Sequence, residues 1–302
     1  MGNLSNLRSL PSILYLGVII WIFATTSCDR PRYPEDEAGF WTYGEWPDHA
    51  PAQDSILFVK NENIYVQGFY TAEATKLVDD ASHPAYHPAG SGFAYQQDSS
   101  IYLKFFGVPT ALFLTRGLHP AWSADGNKLA FYLPRELRDS SAFVDPQFCI
   151  EDYCIQYLDL SQNRLVSVGM NQILGGSELP EIPRYFAWGP GDTILFFSSE
   201  HYLGWVDIVS EQVEIIESPN SYTQFLGPMN WSNHQSLLLV GVGLNISSWS
   251  GGNLSTQAFD LDLVKEREWS RSTQADWTPD GEGIVYVVSH EDYIFRKSFN
   301  WN

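Results

Sequence analysis

Two histidines stand at the same place in neighbouring segments of the chain. His83 opens the run His-Pro-Ala-Tyr, and His119 opens the run His-Pro-Ala-Trp. Two imidazoles that converge can hold a divalent metal, exchange protons or bind a polar ligand. The same pattern also suits a structural role, in which each imidazole bonds loop carbonyls and His-Pro simply begins a strand. The residues alone leave these alternatives open.

The chain carries none of the common catalytic motifs. It has no Gly-x-Ser-x-Gly elbow, no Walker phosphate loop and no His-Glu-x-x-His metal motif. This absence favours a binding module over an enzyme and leaves the catalytic residues unassigned.

A repeated unit positions these residues. Ala121–Gly126 reads AWSADG before the apolar run Lys128–Phe131, and Asp276–Gly281 reads DWTPDG before Gly283–Tyr286. Weaker copies follow the same phase, and the aromatic anchors of the series are Trp46 (the weakest), Tyr86, Trp122, Trp188, Trp231 and Trp277. Their spacings are 40, 36, 66, 43 and 46 residues. Apart from the 66, these are close to the roughly 40–45 residues of a four-stranded propeller blade.

Each unit predicts four short strands. The aromatic lies in the first strand, and Asp-Gly then makes a tight turn because Gly tolerates positive φ. An apolar strand such as Leu129–Phe131 follows, then an alternating strand such as Ile155–Leu160, and a more polar fourth strand. The spacing of 66 residues predicts an insertion at about residues 134–154 in the third unit.

The unit resembles the TolB-like, WD-type β-propeller repeat, whose pattern is roughly P-x-W-S-P-D-G-x-x-I-A-F followed by an I-Y-V strand. The resemblance covers residues 40 to 302 and implies an all-β fold, a six-bladed propeller of four-stranded antiparallel blades over residues 39–302. The last unit has only three evident strands. We therefore expect Gly39–Tyr43 to supply the outer strand of the sixth blade and so protect its edge.

The resemblance also places the histidines at the propeller channel. The equivalent positions in later repeats are Tyr185, Pro228 and Gln274. Some TolB-like propellers, the oligogalacturonide lyases, hold a divalent metal with histidines and a glutamine near the channel. We expect no cofactor here; the alternative is a metal at the channel of a polysaccharide lyase or glycosidase-like enzyme. Convergence of His83, His119 and Gln274 on one metal would favour that alternative, and dispersal into loop hydrogen bonds would favour a binding module.

The N-terminus predicts export and a lipid anchor. Arg8 precedes an apolar run from Ile13 to Ala24, which is too short to favour a spanning helix and suits a signal peptide. The following Thr-Thr-Ser-Cys28 resembles a bacterial lipoprotein processing site, which implies a signal peptide over residues 1–27 and lipid on Cys28. An ordinary cleaved signal and an uncleaved anchor are the alternatives. Residues 28–38 are expected to form a flexible tether.

Two further cysteines, Cys149 and Cys154, lie close together in the predicted insertion. An exported chain meets an oxidising compartment, so a local disulfide is expected. Free thiols and a weak metal site are the alternatives. No second Cys or His pair accompanies them in the insertion, which makes zinc a poor fit.

The charge limits the choice of partners. The chain has 17 Lys and Arg against 36 Asp and Glu, a formal charge of −19. Such a surface repels nucleic acid and anionic lipid headgroups. We therefore expect an exported protein at the cell envelope, in the periplasm or at the cell surface, that binds an envelope protein or a glycan and contacts the membrane only through its lipid.

Overall fold

Six sheets of four strands make up the described part of the chain. The structure is a computed structural model and describes residues 42–43, 45–51, 55–69, 71, 73–134, 154–169, 183–218, 223–244, 255–270, 272–288 and 293–298. Contacts separate a unit over residues 1–38, which lies outside these ranges, from a unit over residues 39–302. No helix in the described ranges is long and apolar enough to span a membrane.

The strands are numbered in chain order. They are Thr42–Tyr43 (β1), Glu45–His49 (β2), Ser55–Lys60 (β3), Asn63–Gly68 (β4), Thr75–Val78 (β5), Ser82–Tyr86 (β6), Gly92–Gln97 (β7), Ser100–Phe105 (β8), Leu112–Arg116 (β9), Leu118–Trp122 (β10), Lys128–Tyr132 (β11), Cys154–Asp159 (β12), Arg164–Gly169 (β13), Tyr185–Trp188 (β14), Ile194–Ser198 (β15), Tyr202–Asp207 (β16), Val213–Glu217 (β17), Thr223–Ser232 (β18), Leu237–Leu244 (β19), Ser255–Phe259 (β20), Lys265–Ser270 (β21), Ser272–Trp277 (β22), Gly283–Val288 (β23) and Tyr293–Ser298 (β24).

The sheets are the blades of a six-bladed propeller, as the repeat predicted. Blades 1 to 5 each use four consecutive strands, beginning with β2–β5 and ending with β18–β21. Blade 6 has the order β22, β23, β24 and β1, so the N-terminal strand is its outer strand. Thr42 lies opposite Ile294 and Tyr43 opposite Tyr293. The expected closure of the ring is thus confirmed for residues 42 and 43.

The middle of the second strand of each blade is apolar and buried because both of its faces are covered. In β3, Leu57 packs toward blade 2, whereas Ile56 and Phe58 pack toward blade 6. Six apolar clusters result, one at each junction between neighbouring blades. Burial of such side chains contributes about 1.5–3 kcal/mol each. The core is therefore spread around the ring, and every junction carries part of the stability.

The Asp-Gly turns form as the sequence predicts. Gly126 and Gly281 have φ of 71° and 70°, a conformation that Gly adopts without a Cβ clash. In blade 3, Ser123 Oγ donates to Asp125 and accepts from the amide of Lys128. Thr278 makes the equivalent bonds in blade 6. The two strongest copies of the sequence motif therefore share one turn geometry.

The structure corrects one repeat boundary. In blade 1 the residue equivalent to the anchors Tyr86 and Trp122 is His49, and not Trp46. A bulge in β2 lies between Glu45 and Asp48, and Trp46 occupies it. The run Trp46-Pro-Asp looked like the Trp-Ser-Pro-Asp-Gly motif, but it lies three residues earlier in the strand.

The predicted insertion and its cysteines are largely outside the description. Strand β11 ends at Tyr132, β12 begins at Cys154, and residues 135–153, with Cys149, are not among the described residues. Cys154 is described through its backbone only. The disulfide, the signal peptide and the lipid on Cys28 therefore stay predictions.

Candidate ligand-binding channel

A cavity of about 450 Å³ follows the propeller axis and is lined by the first strands of all six blades. It extends from the bulges near the start of these strands to the turns after them. Its wall is rich in proline and in the aromatic anchors, of which Tyr86, Trp188 and Trp277 are buried. Concave apolar sites with a few polar groups are the usual form of ligand-binding sites.

The predicted channel residues lie at one level at the start of this cavity. His83, His119 and Gln274 occupy bulges with φ of 48°, 54° and 49°, and Trp46 matches them with φ of 53°. Residues with side chains rarely adopt this conformation. The bulge gives the residue at this position the same backbone conformation in each of these four blades. Tyr185 and Pro228 lie at the same level in blades 4 and 5.

Four aromatic rings at this level form a contiguous stack, which we call the plug: Trp46, His83, His119 and Tyr185. The ring centroids of Trp46 and His83 are 4.1 Å apart, and those of His83 and His119 are 4.3 Å apart. His119 stacks on Tyr185 at 4.5 Å with an interplanar angle of 10°. The two histidines thus converge as expected, although they converge on aromatic neighbours. Trp46 was missed as a member because it had been aligned as an anchor.

The histidines of the plug are neutral. Burial, together with nearby His119, lowers the pKa of His83 to about 3. Burial also lowers the pKa of His119, whose Nδ1 lies 2.9 Å from the carbonyl oxygen of Arg184. Since a carbonyl can only accept, Nδ1 of His119 carries the proton. The plug therefore contributes no positive charge to the channel near neutral pH.

The donors that the metal alternative requires do not fit a metal site. Gln274 Oε1 accepts the backbone N–H of Trp46 at 2.8 Å, and His83 Nδ1 lies 2.9 Å from Ser82 Oγ. In the described ranges, no group of three His, Cys, Asp or Glu side chains is placed to hold a metal ion. His83 Nε2 is buried and has no hydrogen-bond partner among the described residues, yet its ring is packed against Trp46 and His119. We therefore derive no step through a metal.

A carboxyl pair, half-buried Asp48 and buried Asp276, lies further along the channel wall. The two side chains are hydrogen-bonded to each other, and Asp276 Oδ2 accepts the N–H of His49 at 2.6 Å. Asp48 accepts the N–H of Tyr86. Each carboxylate thus also ties its own blade to the next one. The sequence analysis did not identify this pair, because Asp48 belongs to the repeat copy whose alignment was wrong.

The carboxyl pair holds protons more tightly than ordinary aspartates. Burial raises the pKa of Asp276 to about 7, and burial with the neighbouring Asp276 charge raises the pKa of Asp48 well above its usual value. Two carboxylates in contact cannot both ionise easily, so they share a proton. A glycosidase separates its carboxyls by about 5 Å or more. Hydrogen-bonded carboxyls are closer than that, and the pair does not match either glycosidase arrangement.

The described channel wall carries no permanent positive charge that would hold an anion. Among the described residues that line the cavity there is no Lys or Arg, and the polar lining consists of groups such as Asn230, Asn233, Thr278 and the carboxyl pair. With neutral imidazoles at the plug, the electrostatics favour uncharged or positively charged ligands. A second cavity of about 600 Å³ lies against blades 1 and 2 and shares Trp46 with the first.

Comparisons with known proteins agree with the fold. No protein-family model matches the chain, and neither does any curated protein. Among solved structures, a protein from Agrobacterium tumefaciens provisionally assigned as TolB matches with a TM-score of 0.59 and 14% identity, over 87% of this chain and 91% of its own. An oligogalacturonate lyase in complex with manganese matches with a TM-score of 0.53 and 14% identity, over 85% of this chain and 73% of its own.

A third similar structure is the Cps50 (Swd1) β-propeller domain of Myceliophteria thermophila. It has a TM-score of 0.53 at 7% identity, over 85% of this chain and 96% of its own. At such identities the likeness establishes the fold, a TolB-like propeller, and carries no activity with it. Function has to be argued from the channel and the surface.

Proposed function

We propose that the protein is a binding module of the cell envelope that takes an uncharged or positively charged segment of a protein or glycan partner into its channel. The observation that carries this proposal is the 450 Å³ cavity, whose described lining combines aromatic and proline surface with a carboxyl pair and contains no Lys or Arg. Aromatic faces bind sugar rings and peptide side chains, and the carboxyl pair suits a donor or a cation.

The test compares three small probes of different charge. We expect chitotriose, which is neutral, or trilysine to change the tryptophan fluorescence saturably, and trigalacturonate to leave it unchanged. Ala121→Leu, which adds side-chain volume inside the channel, should weaken the response at least tenfold. Exposed Val209 lies outside the channel lining, so Val209→Ala is the matched control. Tight binding of trigalacturonate, or binding unaffected by Ala121→Leu, would refute the proposal.

The lipid anchor is the second part of the proposal. It is supported by the Thr-Thr-Ser-Cys28 segment after the apolar run. In an expressing bacterium, we expect the wild type in the membrane fraction and Cys28→Ser in the soluble fraction. Mass spectrometry of the N-terminal peptide should show a lipid-modified Cys28. An unmodified Cys28 in a membrane-bound protein would favour an uncleaved anchor.

The second hypothesis is that the protein is a metal-dependent lyase or a glycosidase-like enzyme. It is based on the structural similarity to the manganese-bound oligogalacturonate lyase. It predicts that Mn²⁺ raises the thermal midpoint of the wild type and that the double change His83→Ala and His119→Ala removes this effect. From the donor geometry we expect a shift below about 1 °C in both proteins. A larger shift in the wild type alone would reverse our preference.

A further inference from the structure

The outer hairpin of blade 2 exposes apolar side chains. Seven large hydrophobic residues are exposed in the described ranges, and four of them lie in the β8–β9 hairpin. These four, which we call the blade 2 patch, are Phe105, Val108, Leu112 and Phe113, with exposed fractions of 39%, 43%, 57% and 53%. Clustered apolar exposure of this kind marks interaction surfaces.

The patch lies on a sheet edge. Strand β9 is the last strand of its blade and pairs with β8, with Leu112 opposite Leu103 and Phe113 opposite Tyr102. No strand of the described sheets pairs with its other edge. Backbone N–H and C=O groups along such an edge can accept another strand.

Two of the other described outer strands carry more charge than β9. Strand β17 carries Glu214 and Glu217, and β21 begins with the charged run Lys265–Glu268. None of the seven exposed large hydrophobics lies in β5, β13, β17 or β21. Charges on an edge discourage strand addition. In β9 the one charged residue is Arg116, at its end.

The charge around the patch is unusual for this chain. From Ser99 to Ala124 there is no Asp or Glu, although the whole chain has 36. Lys104 and Arg116 lie in this segment, and Lys104 Nζ donates to the carbonyls of Val108 and Pro109. The hairpin is therefore a basic, apolar region on an acidic protein, and it is electrostatically complementary to an acidic partner.

We infer that the free edge of β9 binds an extended segment of a partner protein that alternates apolar and acidic residues. The segment adds a fifth strand to blade 2 through main-chain hydrogen bonds. Leu112 and Phe113 lie on opposite faces of the sheet. The apolar side chains of the segment therefore cover Leu112 on one face, and its carboxylates lie on the other face, near Lys104 and Arg116. A second copy of this chain would bring the same positive charges against each other. This surface is separate from the channel, and the inference is independent of the proposed function.

The experiment uses the purified mature protein and an acetylated ten-residue peptide of alternating Val and Glu. We expect saturable binding by fluorescence anisotropy, with a Kd of about 10–100 µM, and at least tenfold weaker binding of a Val-Lys peptide. Leu112→Glu should abolish binding without changing the thermal midpoint, because its side chain is exposed. Val209→Glu introduces the same charge at an exposed apolar site in blade 4 and should bind like the wild type.

A second measurement separates strand addition from general adhesion. Amide hydrogen exchange of residues 112–116 should slow when the Val-Glu peptide is added, and that of β17 should stay the same. Absence of binding up to about 1 mM, equal binding by Leu112→Glu, or no protection of β9 would overturn the inference. So would a dimer, or attachment to phosphatidylglycerol vesicles, that Leu112→Glu abolishes, because the patch would then serve a second copy or a lipid surface.

Discussion

The channel wall has two halves that join neighbouring blades in different ways. In blades 2 and 3 the residues at the level of the carboxyl pair are Ala85 and Ala121, and their backbone carbonyls accept the indole N–H of the next blade's tryptophan. In blades 5, 6 and 1 the same level holds Asn230, Asp276 and Asp48, and here side chains bond the backbone of the next blade.

This difference shows which hydrogen bonds between blades depend on pH. The alanine half depends on main-chain carbonyls and neutral indoles, so its hydrogen bonds are insensitive to pH. The polar half includes two titratable carboxyls at the junction of blades 6 and 1, where the two ends of the ring meet. A change of pH in the channel therefore acts on the junction that closes the ring.

The largest expected effect comes from removing the carboxyl that joins blades 6 and 1. Asp276→Ala leaves the N–H groups of His49 and Trp277 without the acceptor they use now and opens a small cavity. We expect a loss of about 2–4 kcal/mol in the free energy of unfolding by urea at pH 5. Asp276→Asn keeps a side-chain oxygen that can accept one of these N–H groups, so we expect less than half of that loss in the free energy of unfolding. Equal losses would show that the junction does not depend on the acceptor at this position.

The second effect is a pH dependence confined to the polar half. Since the pKa of Asp276 is raised in the folded state to about 7, protonation favours folding. Its stabilisation is fully present below the unfolded pKa near 3.8 and is lost as the pH rises through about 7. A three-unit shift corresponds to a ceiling of about 4 kcal/mol. We expect the difference between the two proteins to be about half of this ceiling, because Asp48 also has a raised pKa and makes the variant lose stability with rising pH as well.

The measurement is the difference in unfolding free energy between the wild type and Asp276→Asn from pH 4 to pH 8. The variant should gain on the wild type by about 2 kcal/mol over this range. Taking the difference cancels the surface carboxylates whose pKa is lowered, such as Asp125 and Asp207, which act in the opposite direction. A difference that stays constant with pH would contradict the shared proton.

The two halves also explain what could be read from the sequence. The blades, the Asp-Gly turns at Gly126 and Gly281, and the closing strand were predictable because each depends on local turn chemistry and on a period that several copies share. The convergence of His83 and His119 followed from their equivalent places in adjacent copies. These features belong to the regular part of the ring.

The carboxyl pair and the role of Trp46 were not predictable in the same way. Asp48 and Asp276 are more than two hundred residues apart, and their contact depends on how the first and last blades meet. A bulge also shifts blade 1 by three residues relative to the expected alignment, which hid the equivalence of Asp48 and Asp276. Aligning His49 with Tyr86 would have placed both aspartates, and also Asn230, at one level.

The smallest expected effect tests the alanine half. Trp188 Nε1 donates to the Ala121 carbonyl of blade 3 at 3.1 Å, so Trp188→Phe removes a buried bond between blades. We expect a loss of about 1–2 kcal/mol that is the same at pH 5 and pH 8. Trp231 is the matched control, because its indole N–H bonds Asn233 in its own blade at 2.9 Å.

Trp231→Phe removes an indole N–H whose partner lies in the same blade, and it keeps an aromatic ring against Phe196 of blade 4. We expect a loss below about 1 kcal/mol. Urea unfolding of both variants at the two pH values gives the comparison directly. If the two substitutions cost the same, the indole bonds do not hold the blades together, and the apolar clusters at the junctions carry that half of the ring. A pH-dependent cost for Trp188→Phe would mean that the polar and apolar halves are coupled through the channel.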